Sequence, residues 1–383
     1  MSEAQLTLQP PDAALGSGFA WALGTACDFN NDTYLDFPVG NHLYTDPAAP
    51  NSGRAVVFWG DQSGSLALDR FSYHNLSADL ISQSDCMGQT VLCADFNGDD
   101  YDDLLTTGQN AGAADTGLGA IFYGGPTGLP DHQDLVLEPK LLANKQYLGA
   151  ASLYGNFDGD SNSDLAIGGW GLIKGLTTNG PHTGGVYIFK GGQDWSLGPT
   201  WGLFPDVDDE IMMGVEMELI ETDQASLLAV GAPDFGNPVT GAVYIYEVGV
   251  SGFEQQAPVN ILIGPPEHED SGFGNAIGYV PDYFGQGQGA LLVGMKYGHA
   301  SVDNTYTGTV AVFELAADRR SFVQTPSFLN APDPQGSDGF GASIVSLGDV
   351  DGDNLSDFMV GIPEHLEGDI YTGFQTGGVI FFH

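Results

Sequence analysis

The chain has 383 residues and a formal charge of −41, with 50 Asp plus Glu against 9 Lys plus Arg. So little basic surface excludes nucleic acid and anionic membrane as general partners, because almost nothing is left to hold phosphates. Charged residues are only 15% of the chain and hydrophobic residues 42%, the balance of a globular protein rather than of an acidic disordered tail.

The start, MSEAQLTLQP, lacks the basic and apolar regions of a signal peptide, and no window reads as a transmembrane helix that would insert in a membrane. Residues 4–19, AQLTLQPPDAALGSGF, align instead with VNILIGPPEHEDSGFG from 259 and SFLNAPDPQGSDGFG from 327. The N-terminus therefore predicts the outer strand of the last repeat. From Phe19 onward one pattern recurs six times, marked by Phe19, Met87, Leu148, Met213, Phe273 and Phe340, at a spacing of about 64 residues.

Each marker opens a first strand, and three more short strands of alternating or fully apolar character follow. The second strands read DFPVG, DLLTTG, DLAIGG, LLAVGAP, LLVGMK and DFMVGIP in chain order. The third read RAVVFWG, GAIFYGG, GGVYIFKGG, GAVYIYEV, GTVAVFEL and GGVIFFH. Fourth strands are RFSYHNL, QDLVLEP, PTWGLF, PVNILIGPP and PSFLNAP, with none after His383. Four-stranded sheets repeated radially, with the two termini sharing one blade, predict an all-β fold. It is a single six-bladed β-propeller domain over residues 1–383, its last blade closed by the N-terminal strand.

Between first and second strands, four repeats carry an acidic loop. These are DFNNDTYLD (28–36), DFNGDDYDD (95–103), NFDGDSNSD (156–164) and DVDGDNLSD (349–357). Oxygen side chains at positions 1, 3, 5 and 9 repel one another unless a cation sits among them. The expected calcium ligands are Asp28, Asn30, Asp32, Asp36 and the carbonyl of Tyr34; Asp95, Asn97, Asp99, Asp103 and the carbonyl of Tyr101. They continue as Asn156, Asp158, Asp160, Asp164 and the carbonyl of Asn162; Asp349, Asp351, Asp353, Asp357 and the carbonyl of Leu355. Position 12 is Val39, Thr106, Ile167 or Val360 rather than Glu, so these are not EF-hands. All-oxygen ligand sets disfavour zinc and copper, and the ligand count disfavours Mg²⁺. Repeats four and five, with IETDQASLL and DYFGQGQGA, lack the set, so the expectation is four structural Ca²⁺.

The repeats resemble the FG-GAP repeats of the integrin α-subunit propeller and of bacterial integrin-like proteins. The FG element stands at Phe273–Gly274 and Phe340–Gly341, and more loosely at Met87–Gly88, Leu148–Gly149 and Met213–Gly214. The GAP element stands at Gly231–Ala232–Pro233 and, weakly, at Gly361–Ile362–Pro363. The resemblance implies calcium hairpins between these elements and a role in recognition or adhesion outside the cell. Integrin propellers have seven blades and this pattern counts six, so no integrin partner surface is carried over.

Long loops between second and third strands, at 41–53, 169–184, 232–241, 295–308 and 362–377, emerge opposite the acidic hairpins. They carry Tyr44, Trp170, Lys174, Phe235, Tyr297, Tyr306, Tyr371 and Phe374, a composition suited to a protein or glycan ligand. The rival reading is a propeller lyase or hydrolase, with His42, His299 and His365 of the same loops holding a catalytic metal. The expected setting is extracellular, cell-surface or periplasmic, as a monomer or a module of a larger chain. Cys27, Cys86 and Cys93 read as buried small hydrophobes. Cys86 and Cys93 are too far apart on one expected strand to bridge. Cys27 and Cys93 flank acidic loops of neighbouring repeats, which leaves a bridge between them open.

Overall fold

A computed structural model describes residues 18–47, 49–62, 70–112, 114–139, 145–160, 162–174, 180–249, 252–253, 257–298, 307–332, 339–363, 366–367, 374–375 and 378–383. Their regular structure is strand throughout, apart from two short 3-10 turns at Trp195–Leu197 and Pro266–His268. Every named sheet is an antiparallel meander, and together the sheets form the blades of a six-bladed β-propeller. The chain divides into two compact units. Blades one to three make the first and blades four to six the second, with residues 157–159 and 181–185 grouped with the second.

In the first unit, blade one is β1 (Phe19–Leu23), β2 (Phe37–Asn41), β3 (Ala55–Phe58) and β4 (Phe71–His74). Blade two is β5 (Val91–Ala94), β6 (Asp103–Gly108), β7 (Leu118–Phe122) and β8 (Leu135–Leu137). Blade three is β9 (Leu148–Gly155), β10 (Asp164–Gly169), β11 (Gly185–Phe189) and β12 (Trp201–Leu203). The middle strands β6, β7, β10 and β11 are buried at every residue. Both faces of each are covered, which is why they read as continuous apolar runs rather than as alternation. Phe29, Val57, Met87, Leu104 and Phe122 form one core cluster between blades one and two.

In the second unit, blade four is β13 (Met217–Glu221), β14 (Ser226–Ala232), β15 (Ala242–Val248) and β16 (Asn260–Ile263). Blade five is β17 (Ile277–Val280), β18 (Ala290–Met295), β19 (Thr309–Glu314) and β20 (Ser327–Leu329). Blade six has β21 (Ile344–Gly348), β22 (Asp357–Gly361) and β25 (Val379–Phe382); β23 (Leu366–Glu367) pairs with β24 (Phe374–Gln375) in the loop between them. Blade six therefore shows three strands among the described residues, with β25 at its edge. The N-terminal segment expected to close it lies outside the described residues.

The two halves of the repeat motif prove to be the two sides of one contact. A Cβ added to Gly231, in the GAP of blade four, would sit 2.0 Å from the carbonyl oxygen of Gly274, in the FG of blade five. Gly294 of blade five meets Gly341 of blade six in the same way, at 2.0 Å. Backbone touches backbone at these points, so no side chain can rotate aside. Gly231→Ala is expected to cost roughly 3 kcal/mol of stability by overpacking, read from urea unfolding. A loss below about 0.5 kcal/mol, the range of ordinary surface changes, would contradict this account of the motif.

One expectation needs correction. Cys27 and Cys93 are not free: they form a disulfide with Cα atoms 6.3 Å apart, tying blade one to blade two. Cys86 alone is free and buried, and it lies outside β5. The bridge joins neighbouring blades across 66 residues, and a sequence separation of that size carries no pairing information.

Candidate metal centres in the blade hairpins

The acidic loops are tight hairpins joining the first and second strands of blades one, two, three and six. Their turn needs left-handed backbone at positions 4 and 6: Asn31 and Thr33, Gly98 and Asp100, Gly352 and Asn354 all have φ between 55° and 86°. That places successive backbone N–H groups toward the first carboxylate. Asp28 accepts from Asp32 N at 3.0 Å and Thr33 N at 2.7 Å. Asp95 accepts from Gly98, Asp99 and Asp100 N at 2.6, 3.1 and 3.0 Å. Asp349 accepts from Gly352, Asp353 and Asn354 N at 2.6, 3.1 and 2.9 Å.

The fifth position repeats the theme. Asp32, Asp99, Asp160 and Asp353 accept from the N–H of Tyr34, Tyr101, Asn162 and Leu355 at 2.9, 3.1, 2.7 and 2.7 Å. The third-position amides of Asn30 and Asn97 donate to Asp32 and Asp99, both at 3.1 Å. In blade six the structure brings three carboxylates together: oxygens of Asp349, Asp351 and Asp353 lie within 4.8 Å of one another, all exposed.

The ninth position behaves differently. Asp36, Asp103, Asp164 and Asp357 are at most 1% exposed, at the base of the hairpin. Asp36 accepts from Phe29 N at 3.2 Å and Gly60 N at 2.9 Å, and Asp103 from Phe96 N and Gly124 N at 2.9 Å each. Asp164 accepts from Gly191 N at 2.7 Å. Asp357 accepts from Val350 N at 2.6 Å, while its other oxygen has no partner. Burial, with the other loop carboxylates adding to it, pushes Asp36 up to about 6 and Asp103 up to about 7. An added divalent cation opposes both effects. The all-oxygen donor set and the crowded carboxylates of blades one, two and six therefore fit calcium.

Neighbouring hairpins are also linked. Asp28 N donates to Asp102 at 2.8 Å and the Asn31 amide to the Asp100 carbonyl at 3.2 Å. Asp102 is a linking residue that the spacing argument passed over; the only signal was its place beside the ninth position. Next to hairpin one, Asp32, Tyr34, Asp61, Gln62 and Arg70 line an open cleft of about 390 Å³.

Blade three shares the spacing and adds contacts of its own. The Asn156 amide donates to the Asp160 carbonyl, and Lys190 reaches Asp160 at 3.3 Å. Asp158 groups with the second unit. Blades four and five, which lack the acidic set, are stitched by arginines. Arg320 pairs with Glu247 at 2.6 Å and donates to the Gln224 carbonyl at 3.4 Å; Arg319 donates to the Gly287 carbonyl and lies 3.9 Å from Asp223.

At the opposite strand ends, aromatic side chains gather in small stacks. Arg54 lies between the rings of Tyr44 and Tyr73, at 3.5 and 3.7 Å. Trp170 stacks on Tyr147 at 3.7 Å and donates to Gln109 at 3.4 Å. His42 packs against the exposed Trp21 at 4.2 Å, and burial pushes its pKa down. The other two histidines of the enzyme reading, His299 and His365, lie outside the described residues, as do Tyr306 and Tyr371.

No protein-family model matches the chain. Human integrin alpha-10 is 27% identical over 256 residues, covering 64% of this chain and 21% of its own length. Integrin alpha ina-1 of Caenorhabditis elegans is 36% identical over 107 residues, covering 25% and 9%. The chain is a β-propeller similar in sequence to integrin α subunits. Bovine phosphatidylinositol-glycan-specific phospholipase D is 24% identical over 399 residues, covering 90% of this chain and 43% of its own length. The chain thus spans less than half the length of these curated relatives. No helix among the described residues is long and apolar enough to cross a membrane.

Proposed function

We propose that this chain is a calcium-braced recognition propeller working outside the cell. The observation that carries the reading is the recurrence of one carboxylate arrangement in the hairpins of blades one, two and six. Asp28, Asn30 and Asp32, Asp95, Asn97 and Asp99, and Asp349, Asp351 and Asp353 would hold the ions, with the carbonyls of Tyr34, Tyr101 and Leu355. Calcium supplies charge neutralisation there and no chemistry. The buried aspartates Asp36, Asp103 and Asp357 anchor the turn from beneath. The Cys27–Cys93 disulfide supports an oxidising compartment, and homology to integrin α subunits supports adhesion-type recognition.

Recognition belongs to the other strand ends, where Trp170, Tyr147, Trp21 and Tyr44 stand on rigid blades. The ligand there is protein or glycan. A glycan array and a panel of extracellular glycoproteins, screened in calcium, test this. At least one ligand is expected, with binding about tenfold weaker for Trp170→Ala. An empty screen, or a hit indifferent to every residue of this face, would remove the reading. A hydrolase reading draws only on the phospholipase D relatives. It needs His42 to act with His299 and His365, and a zinc titration that leaves His42 unshifted would end it.

A further inference from the structure

We propose that Lys190 is the resident cation of the third hairpin, so that blade three takes no calcium although its acidic spacing matches the others. Lys190 stands in the third strand region just before Gly191, whose N–H binds the ninth-position Asp164 at 2.7 Å. The matching places before Gly60 and Gly124 hold Trp59 and Tyr123, which carry no positive charge. Among the described residues, only in blade three does an ammonium reach the fifth-position carboxylate: Lys190 Nζ lies 3.3 Å from Asp160 Oδ2, with both side chains half-buried.

The first position agrees. Asp28, Asp95 and Asp349 present carboxylates that gather backbone N–H groups. Asn156 carries no carboxylate at that position; its Nδ2 donates to the Asp160 carbonyl, and the Asn162 amide donates to Asp160 Oδ2 at 3.3 Å. The first position of blade three therefore offers a calcium ion one neutral amide oxygen where hairpins one, two and six offer a carboxylate. The second unit uses the same device where the acidic loops have disappeared. Arg319 and Arg320 bind the hairpins of blades four and five through Asp223, Gln224 and Gly287. In a chain with only 9 Lys plus Arg, three of them serve the hairpins of blades three, four and five.

The inference rests on the calcium reading of blades one, two and six, and one set of variants separates the two. Bound calcium is counted on the whole chain and on Asp160→Asn and Asp353→Asn, and melting is followed for Lys190→Met in calcium and in EGTA. The expected counts are three, three and two. Lys190→Met is expected to melt about 2 °C lower in both buffers, as for an internal ion pair that no metal replaces. Four ions in the parent, falling to three in Asp160→Asn, would overturn the inference and leave the calcium reading standing. No bound ion at all would remove the calcium reading. Lys190 would then be judged by melting in EGTA alone, and an unchanged melting temperature for Lys190→Met would overturn its role.

Discussion

Replacing Cys27 and Cys93 together with alanine is expected to cost about 4 kcal/mol of stability against the oxidised chain. A cross-link that closes a loop across 66 residues removes about that much conformational freedom from the unfolded state. Both residues are at most 3% exposed and share one core cluster with Phe29, Val57 and Met87, so alanine leaves packing gaps that add to the loss. The bridge spans two blades, and its loss leaves the hairpins of blades one and two joined through hydrogen bonds from Asp28 and Asn31 to Asp102 and Asp100. Urea unfolding of the double variant against the parent measures the effect. Cys86→Ala, which breaks no bridge, is the control for small packing changes. Equal stability of double variant and parent would mean that the bridge does not form.

Removing calcium is expected to lower the melting temperature by on the order of 10 °C. An ion present at 100 times its Kd stabilises the folded state by about 2.7 kcal/mol, and three sites act together. The physical source is repulsion: oxygens of Asp349, Asp351 and Asp353 lie within 4.8 Å of one another, and burial already raises Asp36 and Asp103. Loosening is expected to spread from hairpin one to hairpin two through the bond from Asp28 to Asp102. Molar salt in EGTA is expected to restore part of the loss, because the exposed carboxylates are screened over about 3 Å at that strength.

The repeats were legible because each one needs the same contacts. Gly231 and Gly274 are fixed by a backbone approach that no other residue permits, so the FG and GAP elements recur in fixed order. The acidic positions were legible for a similar reason, since alternate residues of a tight turn face one point. What spacing could not show was the work of individual positions. Asp36 and Asp103 read as ligands in the sequence, and the structure adds a second task, since each also accepts backbone N–H groups from two sides at the hairpin base. The rest depends on residues distant in the chain. Cys27 meets Cys93, Asp28 meets Asp102, and Arg320 reaches Glu247 and Gln224 only after the blades pack. Lys190 follows directly on β11 and reads as an ordinary surface lysine until the fold brings it to Asp160.

The most direct test of the calcium-braced hairpins is thermal unfolding of one sample in calcium and in excess EGTA, with bound metal counted beforehand. The account predicts a fall on the order of 10 °C in EGTA, with three calcium ions per chain. An unshifted transition with no bound metal would contradict it, and the acidic hairpins would then be solvated turns on an otherwise intact propeller.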